Sequence, residues 1–423
     1  MNRPEGGRFD VAIVGAGPAG MMAAIAARQA GASVALCEQL DRPGVKLLAT
    51  GGGRCNVTNT ATAEEMMAAF GRQGRFMAPA LEALGSRALR EFLERLGVPT
   101  SCPDGFHVYP SSNSAQDVQR ALWKRCEALG VRIILKTRLK GIEIDTDGDG
   151  KRLATSQGIL RAPAVILCTG GKSHPRLGAT GEGLEIAAAL GHTIVPTTPA
   201  LAPLTTSETW PARCAGVSLG PVRLWIDLPG QLKAGWRGDI LLTHTGVSGP
   251  AVLDISAQVS TLLGRHKKVP LAVDLTPGVA LGQWQTRLDQ WGHREGAKML
   301  RSLLAGHFPA ALARQLCLLA GLEADARAAH VPRAARDRLA LLIKALPLTV
   351  VGVEGFERAM VTRGGVSLKE VNPRTLESKK VPGLFFAGEI LDLDGPSGGY
   401  NLQWAFSSGH LAGRAAGCRL AGI

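Results

Sequence analysis

Paired cysteines are missing from this sequence. Its eight cysteines, Cys37, Cys55, Cys102, Cys126, Cys168, Cys214, Cys317 and Cys418, are scattered with no CxxC or CxxxxC spacing, which argues against a structural zinc or a redox-active dithiol and for a core role at most of them. No apolar run reaches the ~18 residues of a membrane-spanning helix, and residues 1–8 lack the apolar centre of a secretory signal. A cytoplasmic protein without stable membrane insertion is expected. Acidic residues are short as well: 35 Asp and Glu stand against 48 Lys and Arg, a net charge of +13 with a pI near 9.7. Such a surface attracts polyanions such as nucleic acid. Glycine is abundant, at 53 residues, which predicts many tight backbone approaches. At 423 residues and 45% hydrophobic content the chain is long enough for a sizeable core in two or three domains.

The best-patterned stretch is residues 9–20, FDVAIVGAGPAG. The apolar β-branched run 11–14 predicts a buried parallel strand, and Gly15, Gly17 and Gly20 follow in GxGxxG spacing before a helix that opens with Pro18 and Ala19. Gly15 suits a tight turn, Gly17 lets backbone approach a pyrophosphate, Gly20 lets helix and strand close up, and the helix N-terminus offers amides and a positive dipole end. A second strand at 33–37 ends at Glu38, followed by Gln39. An acidic residue there holds a ribose hydroxyl in dinucleotide sites. The pattern predicts a bound dinucleotide.

Residues 40–59, LDRPGVKLLATGGGRCNVTN, are too rich in glycine and polar groups for a core element. Gly51, Gly52 and Gly53 can turn amides inward as an anion nest, with Lys46, Arg54, Cys55, Asn56, Thr58 and Asn59 around them. Helices are expected at 63–96 and 115–129, with a short irregular or hairpin segment between them in which His107 reads as an exposed loop histidine. Strands at 131–135, 139–144 and 153–155 suggest a small antiparallel sheet around an Asp- and Gly-rich turn at 145–150. The strand 164–168 runs into Thr169, Gly170, Gly171 and Lys172 and brings the chain back to the cofactor.

From residue 194 the texture turns to Pro, Thr, Gly and Trp with short alternating strands, then becomes helical over 279–346, where ten basic residues against five acidic ones give a net of +5. Such helices suit a nucleic-acid backbone. Within the β-rich part, LLTHTGVSGP at 241–250 concentrates polar chemistry, and His244 either caps an active site or satisfies local backbone. A last buried strand at 384–387 leads to Gly388 and Glu389, a Gly- and Asp-rich loop, Asn401, and a closing helix from about Leu402. The expected organisation is a discontinuous nucleotide-binding domain, 1–193 with 347–423, interrupted by a β-rich domain at 194–278 and a helical domain at 279–346.

These motifs together resemble the BaiN/RdsA-type (YhiN-like) flavoproteins along the whole chain: TGGGRCNVTN at 50–59, TGGKSHPRLGATGEG at 169–183, LTHTGVSGPAVLDIS at 242–256, TRGGVSLKEVNPRTLESK at 362–379 and GLFFAGEILDLDGPSGGYNLQWAFSSG at 383–409. The resemblance implies an α/β, Rossmann-like FAD-binding fold of the two-dinucleotide-binding-domain type, with an inserted β-rich plus all-α unit. It implies that Gly15, Gly17 and Gly20 hold the FAD pyrophosphate and Glu38 the ribose. Lys46, Gly52, Arg54, Thr169, Gly170, Gly388 and Glu389 would line the diphosphate and flavin. Asn401, Leu402 and Gln403 would lie beneath the pyrimidine edge of the isoalloxazine, where helix amides stabilise negative charge on the reduced flavin.

The family includes an enzyme that reduces a ribosomal RNA uridine to dihydrouridine and others assigned to reduction of steroid-like bile acid intermediates. The expected activity is that of an FAD-dependent oxidoreductase: NAD(P)H reduces the flavin, which passes hydride to an activated carbon-carbon double bond. No second GxGxxG is present, so the nicotinamide visits transiently. Cys55 and His244 are the candidate proton donors, because a thiol near pKa 8.5 and an imidazole near about 6.5 carry protons at neutral pH. The acceptor is either an RNA base, which must be flipped or single-stranded, or a small enone-type metabolite. A third alternative makes the flavin a sensing group in a binding protein.

Overall fold

The structure, a computed structural model, describes residues 7–144, 150–231 and 235–420; the expected Asp- and Gly-rich turn falls, up to residue 149, outside the described residues. The chain divides into two compact units, Met1–Pro199 with Met360–Ile423, and Ala200–Ala359.

The first unit is built on a five-stranded parallel sheet in the order Leu384–Phe386, Ala164–Leu167, Val11–Val14, Val34–Cys37, Arg132–Ile134. Four of its strands, all but Arg132–Ile134, are buried along their whole length, as expected of a parallel sheet covered on both faces. The helix Pro18–Gln29 is buried without a break from Ala19 to Ala27. The C-terminal helix Tyr400–Leu420 lies directly on it along a face of small residues that includes Ala19 and Ala23. A Cβ added at Gly409 would overlap the Ala19 carbonyl oxygen, one at Gly413 the Ala23 carbonyl oxygen, and one at Gly417 would come within 2.7 Å of the Ala30 Cβ. Spacing of four along one helix puts these glycines on a single face.

The strand expected at 131–135 does not join the small antiparallel sheet. It follows the helix Ala115–Ala128 and pairs in parallel beside Val34–Cys37. The antiparallel sheet instead comprises Leu139–Ile144, Lys151–Thr155 and Gly158–Ala162.

The second unit holds a closed six-stranded barrel in the order Leu204–Thr206, Gly246–Ser248, Trp236–Leu242, Ser218–Ile226, Val269–Asp274, Leu346–Val353. Here the structure departs from the boundaries read from sequence. The strand Leu346–Val353, assigned by the sequence reading almost wholly to the nucleotide-binding domain, is the stave that closes the barrel between Val269–Asp274 and Leu204–Thr206. Closure leaves no unpaired edge. The β-rich and helical stretches are likewise not separate bodies, since Trp284, Leu288, Leu312 and Leu339 of the helices share one apolar core with Leu271, Val273 and Leu346 of the barrel.

Candidate active site

Three glycines shape the first corner of the site, each for a different reason. Gly15 has φ +99°, and a Cβ there would lie 2.5 Å from the Cys168 carbonyl oxygen. A Cβ at Gly20 would overlap the Gly15 carbonyl oxygen, so strand and helix can touch only through glycine. Gly17 is the opposite case: it caps the helix Pro18–Gln29 with no side-chain hydrogen bond, and a Cβ there would meet nothing within 4 Å. The first amides of a helix lack intrahelical partners, so this bare, uncapped end is open to an anion. Glu38 is buried beside it, its Oε2 accepting from the Ala16 N–H at 2.8 Å and its Oε1 from the Leu40 N–H at 2.9 Å. Burial pushes its carboxyl above the ordinary range. Gln39 donates through Nε2 to the Gly178 carbonyl at 2.6 Å.

A second wall gathers residues from four distant segments. Lys46 Nζ donates to Glu389 Oε2 at 2.8 Å and to Ser173 Oγ at 3.2 Å. Ser173 Oγ donates to Glu389 Oε1 at 2.8 Å, and the same oxygen accepts from the Thr362 N–H at 2.9 Å. Thr362 Oγ1 in turn accepts from the Lys172 N–H at 2.7 Å. The sequence reading named Lys46 and Glu389 as site residues but not Thr362, nor Ser173, which closes the Thr169–Ser173 motif that was the available signal. Gly170, Gly388, Gly52 and Gly53 have φ of +72°, +78°, +66° and +90°, and a Cβ at Gly52 would again face open space. Thr169 Oγ1 is buried with no hydrogen-bond partner among the described residues. Bare glycine faces, an uncapped helix end and an orphaned hydroxyl are what a dinucleotide would complete, so the residues present fit FAD.

The third wall is the loop before the C-terminal helix. Asn401 holds it shut: its Oδ1 accepts from the Gly395 N–H at 2.9 Å while Nδ2 donates to the carbonyls of Gly395 and Pro396 at 2.9 and 3.1 Å. Asn59 Nδ2 donates to the Gly398 carbonyl at 2.8 Å. Asn56, with its amide turned to satisfy both ends, donates to the Thr58 and Val108 carbonyls and accepts from the Gly399 N–H at 3.1 Å. Leu402 is half-buried at the helix start. Gln403 directs its side chain away from this loop. Its side chain is fully buried, with Nε2 donating to the Leu84 carbonyl and to Ser407 Oγ, each at 2.8 Å. One residue further along a helix is a turn of about 100°, which carries it from the loop side to the side facing Leu84.

Neither expected proton donor stands at an open position in this unit. Cys55 is wholly buried at φ +62°, and burial pushes its thiol up to about 12. Such a group neither reaches a substrate nor releases a proton readily. His244 belongs to the other unit, exposed in the turn between the strands Trp236–Leu242 and Gly246–Ser248. The histidine that does line the loop is His107. Its Nδ1 lies 2.5 Å from Asp104 Oδ2, and its ring packs among Phe106 at 5.0 Å and Tyr109 at 6.4 Å between centroids. Arg54 lies over the Tyr109 ring at 4.8 Å. The Asp-Gly turn at 104–105 was the sequence signal that this histidine had an orienting partner.

The model of the HI0933-like protein Rossmann domain matches residues 9–415. The chain belongs to the HI0933-like family. The resemblance drawn from its motifs is thereby borne out. Among relatives of this HI0933-like protein, the 3-dehydro-bile acid delta(4,6)-reductase of Clostridium scindens is 34% identical over 96% of this chain and 98% of its own length. The ribosomal RNA dihydrouridine synthase of Escherichia coli is 32% identical over 95% and 96%. A solved 3-ketosteroid delta1-dehydrogenase from Sterolibacterium denitrificans superimposes with TM-score 0.53 at 13% identity, covering 97% of this chain and all of its own. A flavocytochrome c3 fumarate reductase superimposes with TM-score 0.52 at 18% identity, covering 98% and 79%. These show the fold of the HI0933-like chain, and its relatives mark it as an oxidoreductase. No helix among the described residues is long and apolar enough to cross a membrane.

Proposed function

We propose that this protein is a reductase in which NAD(P)H loads electrons onto FAD and an activated carbon-carbon double bond receives them, the acceptor being a uridine of ribosomal RNA. The observation that carries the reading is the cradle of Gly17, Gly52 and the orphaned Thr169 hydroxyl. When bound, FAD supplies a two-electron carrier. The amides at the start of the helix Pro18–Gln29 would bind its diphosphate, Glu38 would orient its ribose, and Lys46, held by Glu389, would supply a cation to the site. The N-terminus of the helix Tyr400–Leu420 favours negative charge above it.

The net charge of +13 and the Escherichia coli relative support RNA as the acceptor. The 34% identity to the bile acid reductase supports a small unsaturated ketone as the second reading. Salt separates them, since RNA affinity falls steeply with ionic strength and affinity for a neutral ketone does not. The deciding experiment measures dihydrouridine in ribosomal RNA from cells with and without the gene, alongside anaerobic bleaching of the flavin by NADH and NADPH. Loss of one dihydrouridine with the gene supports the RNA reading; an unchanged nucleoside profile with turnover of a dienone supports the second. A flavin that neither nucleotide bleaches overturns both in favour of a sensing role. His244 stays a proton-donor candidate on exposure, whereas the burial of Cys55 removes its support.

A further inference from the structure

We infer that His107, oriented by Asp104, is the acid that gives the proton to the substrate carbon during acceptor reduction. The inference rests on the reductase reading above. Asp104 is clamped before it meets the ring: its Oδ1 accepts from the N–H groups of Phe106 and His107 at 3.0 and 2.8 Å, which fixes Oδ2 for the 2.5 Å contact with His107 Nδ1. The hydrogen bond from His107, with those two amides, holds the Asp104 carboxyl well below the usual carboxylate range. Asp104 is therefore an anion at any working pH, and an anion at Nδ1 keeps the proton there and leaves Nε2 for chemistry.

Nε2 points at the loop over the C-terminal helix. A Cβ added at Gly398 would lie 3.3 Å from it, so with no side chain there that nitrogen faces the backbone of the loop that forms the third wall of the site. The His107 side chain is 36% exposed, enough for exchange with solvent while Phe106 shields one edge. No other arrangement of a histidine with a carboxylate partner lines this loop among the described residues.

The step balances as follows. The acceptor double bond gains a hydride at one carbon from the reduced flavin, which NAD(P)H has charged, and a proton at the other from His107 Nε2. The N–H bond breaks as the C–H bond forms, the imidazolium becomes neutral imidazole, and solvent returns the proton. Asp104 steadies the cation between turnovers and is itself a positioning residue.

The test uses FAD-loaded wild type, His107→Ala, His107→Gln and Asp104→Asn, reduced anaerobically and mixed with a 4,6-dien-3-oxo steroid or with ribosomal RNA lacking dihydrouridine. Flavin content and circular dichroism are recorded for each, so a lost fold is told from a lost proton. His107→Ala is expected to slow acceptor reduction by about 10²- to 10³-fold, and added imidazole to restore part of the rate in His107→Ala but not in His107→Gln, whose side chain fills the space. Asp104→Asn is expected to slow it less and to change the pH profile. Wild-type rates in both His107 variants with the FAD retained overturn the assignment while the reductase reading stands. Failure of wild type with both acceptors overturns the reading and the assignment with it.

Discussion

Lys46 Nζ lies 2.8 Å from Glu389 Oε2, a pair joining residues 343 apart in the sequence. Both side chains are about a quarter exposed, at 25% and 23%, so water screens the pair only partly. Glu389 also accepts from Ser173 and from the Thr362 backbone, which makes it the node linking three segments of the site. Replacing Lys46 with Met leaves one oxygen of that carboxylate without its charge partner. The expected cost is about 1–3 kcal/mol, read as roughly 5- to 150-fold weaker FAD retention. Equilibrium dialysis of FAD against the variant checks this, and Lys46→Arg, which keeps the charge, is expected to recover most of the loss. Equal FAD affinity in Lys46→Met and wild type would show that the pair serves stability alone.

Two glycine substitutions are predicted to move stability in opposite directions. Gly282 sits in the helix Leu281–Arg294 with nothing within 4 Å of an added Cβ, so Gly282→Ala gains about 0.5 kcal/mol from helix propensity. Gly413 is equally helical, yet its Cβ would overlap the Ala23 carbonyl oxygen. Gly413→Ala must push the C-terminal helix off the helix Pro18–Gln29 and is expected to cost about 1–3 kcal/mol. Thermal denaturation of both variants reads the two signs.

The burial of Cys55 predicts its reactivity. A rise from 9.0 to about 12 reduces the thiolate fraction at pH 8 by about a thousandfold, while Cys102 and Cys418 are partly accessible. Labelling with a thiol-specific disulfide reagent is expected to modify Cys102 and Cys418 in the native protein and Cys55 only after unfolding. Cys55→Ala is expected to reduce acceptors normally after a stability loss of about 1 kcal/mol.

How far the sequence foretold all this depends on how local each cause is. The tight approaches at Gly15 and Gly20, the open Gly17 and the position of Glu38 beside them follow from a strand, a turn and a helix that adjoin in sequence, and they were legible. Lys46 and Glu389 were legible as site residues only through the motif resemblance, because nothing near either one specifies the other. The inward direction of the Gln403 side chain was not legible, because the rotational phase of a helix is set by what it packs on, here Leu84 and Ser407. The strand Leu346–Val353 was misjudged for a similar reason: its apolar texture suits either unit, and only pairing with Val269–Asp274 and Leu204–Thr206 decides. His107 read as a surface histidine because its meaning depends on a clamp three residues upstream and on a glycine near the other end of the chain.

His192 predicts how the first unit responds to acid. Its ring is buried, with Nε2 2.7 Å from Ser378 Oγ, Phe386 edge-on at 4.9 Å, and Nδ1 without a partner among the described residues. Burial lowers its pKa; the backbone bond to Ala187 and the charge of Glu370 pull it up, and Lys380 pushes it down. A histidine with a folded pKa below its unfolded value of 6.5 binds fewer protons in the native state. Between the two values the unfolded chain takes up the extra proton, so stability rises with pH there and is lost as pH falls from about 6.5. His307 and His410, lowered chiefly by burial and further by Arg287 and Arg414, add slope of the same sign. His192→Asn keeps a polar partner for Ser378 and cannot titrate. Melting temperatures from pH 7.5 to 5 are therefore expected to fall less in His192→Asn than in wild type, with the curves diverging below about pH 6.5. Parallel curves would show that His192 binds the same number of protons folded and unfolded over that range, and would assign the acid sensitivity to the other two histidines.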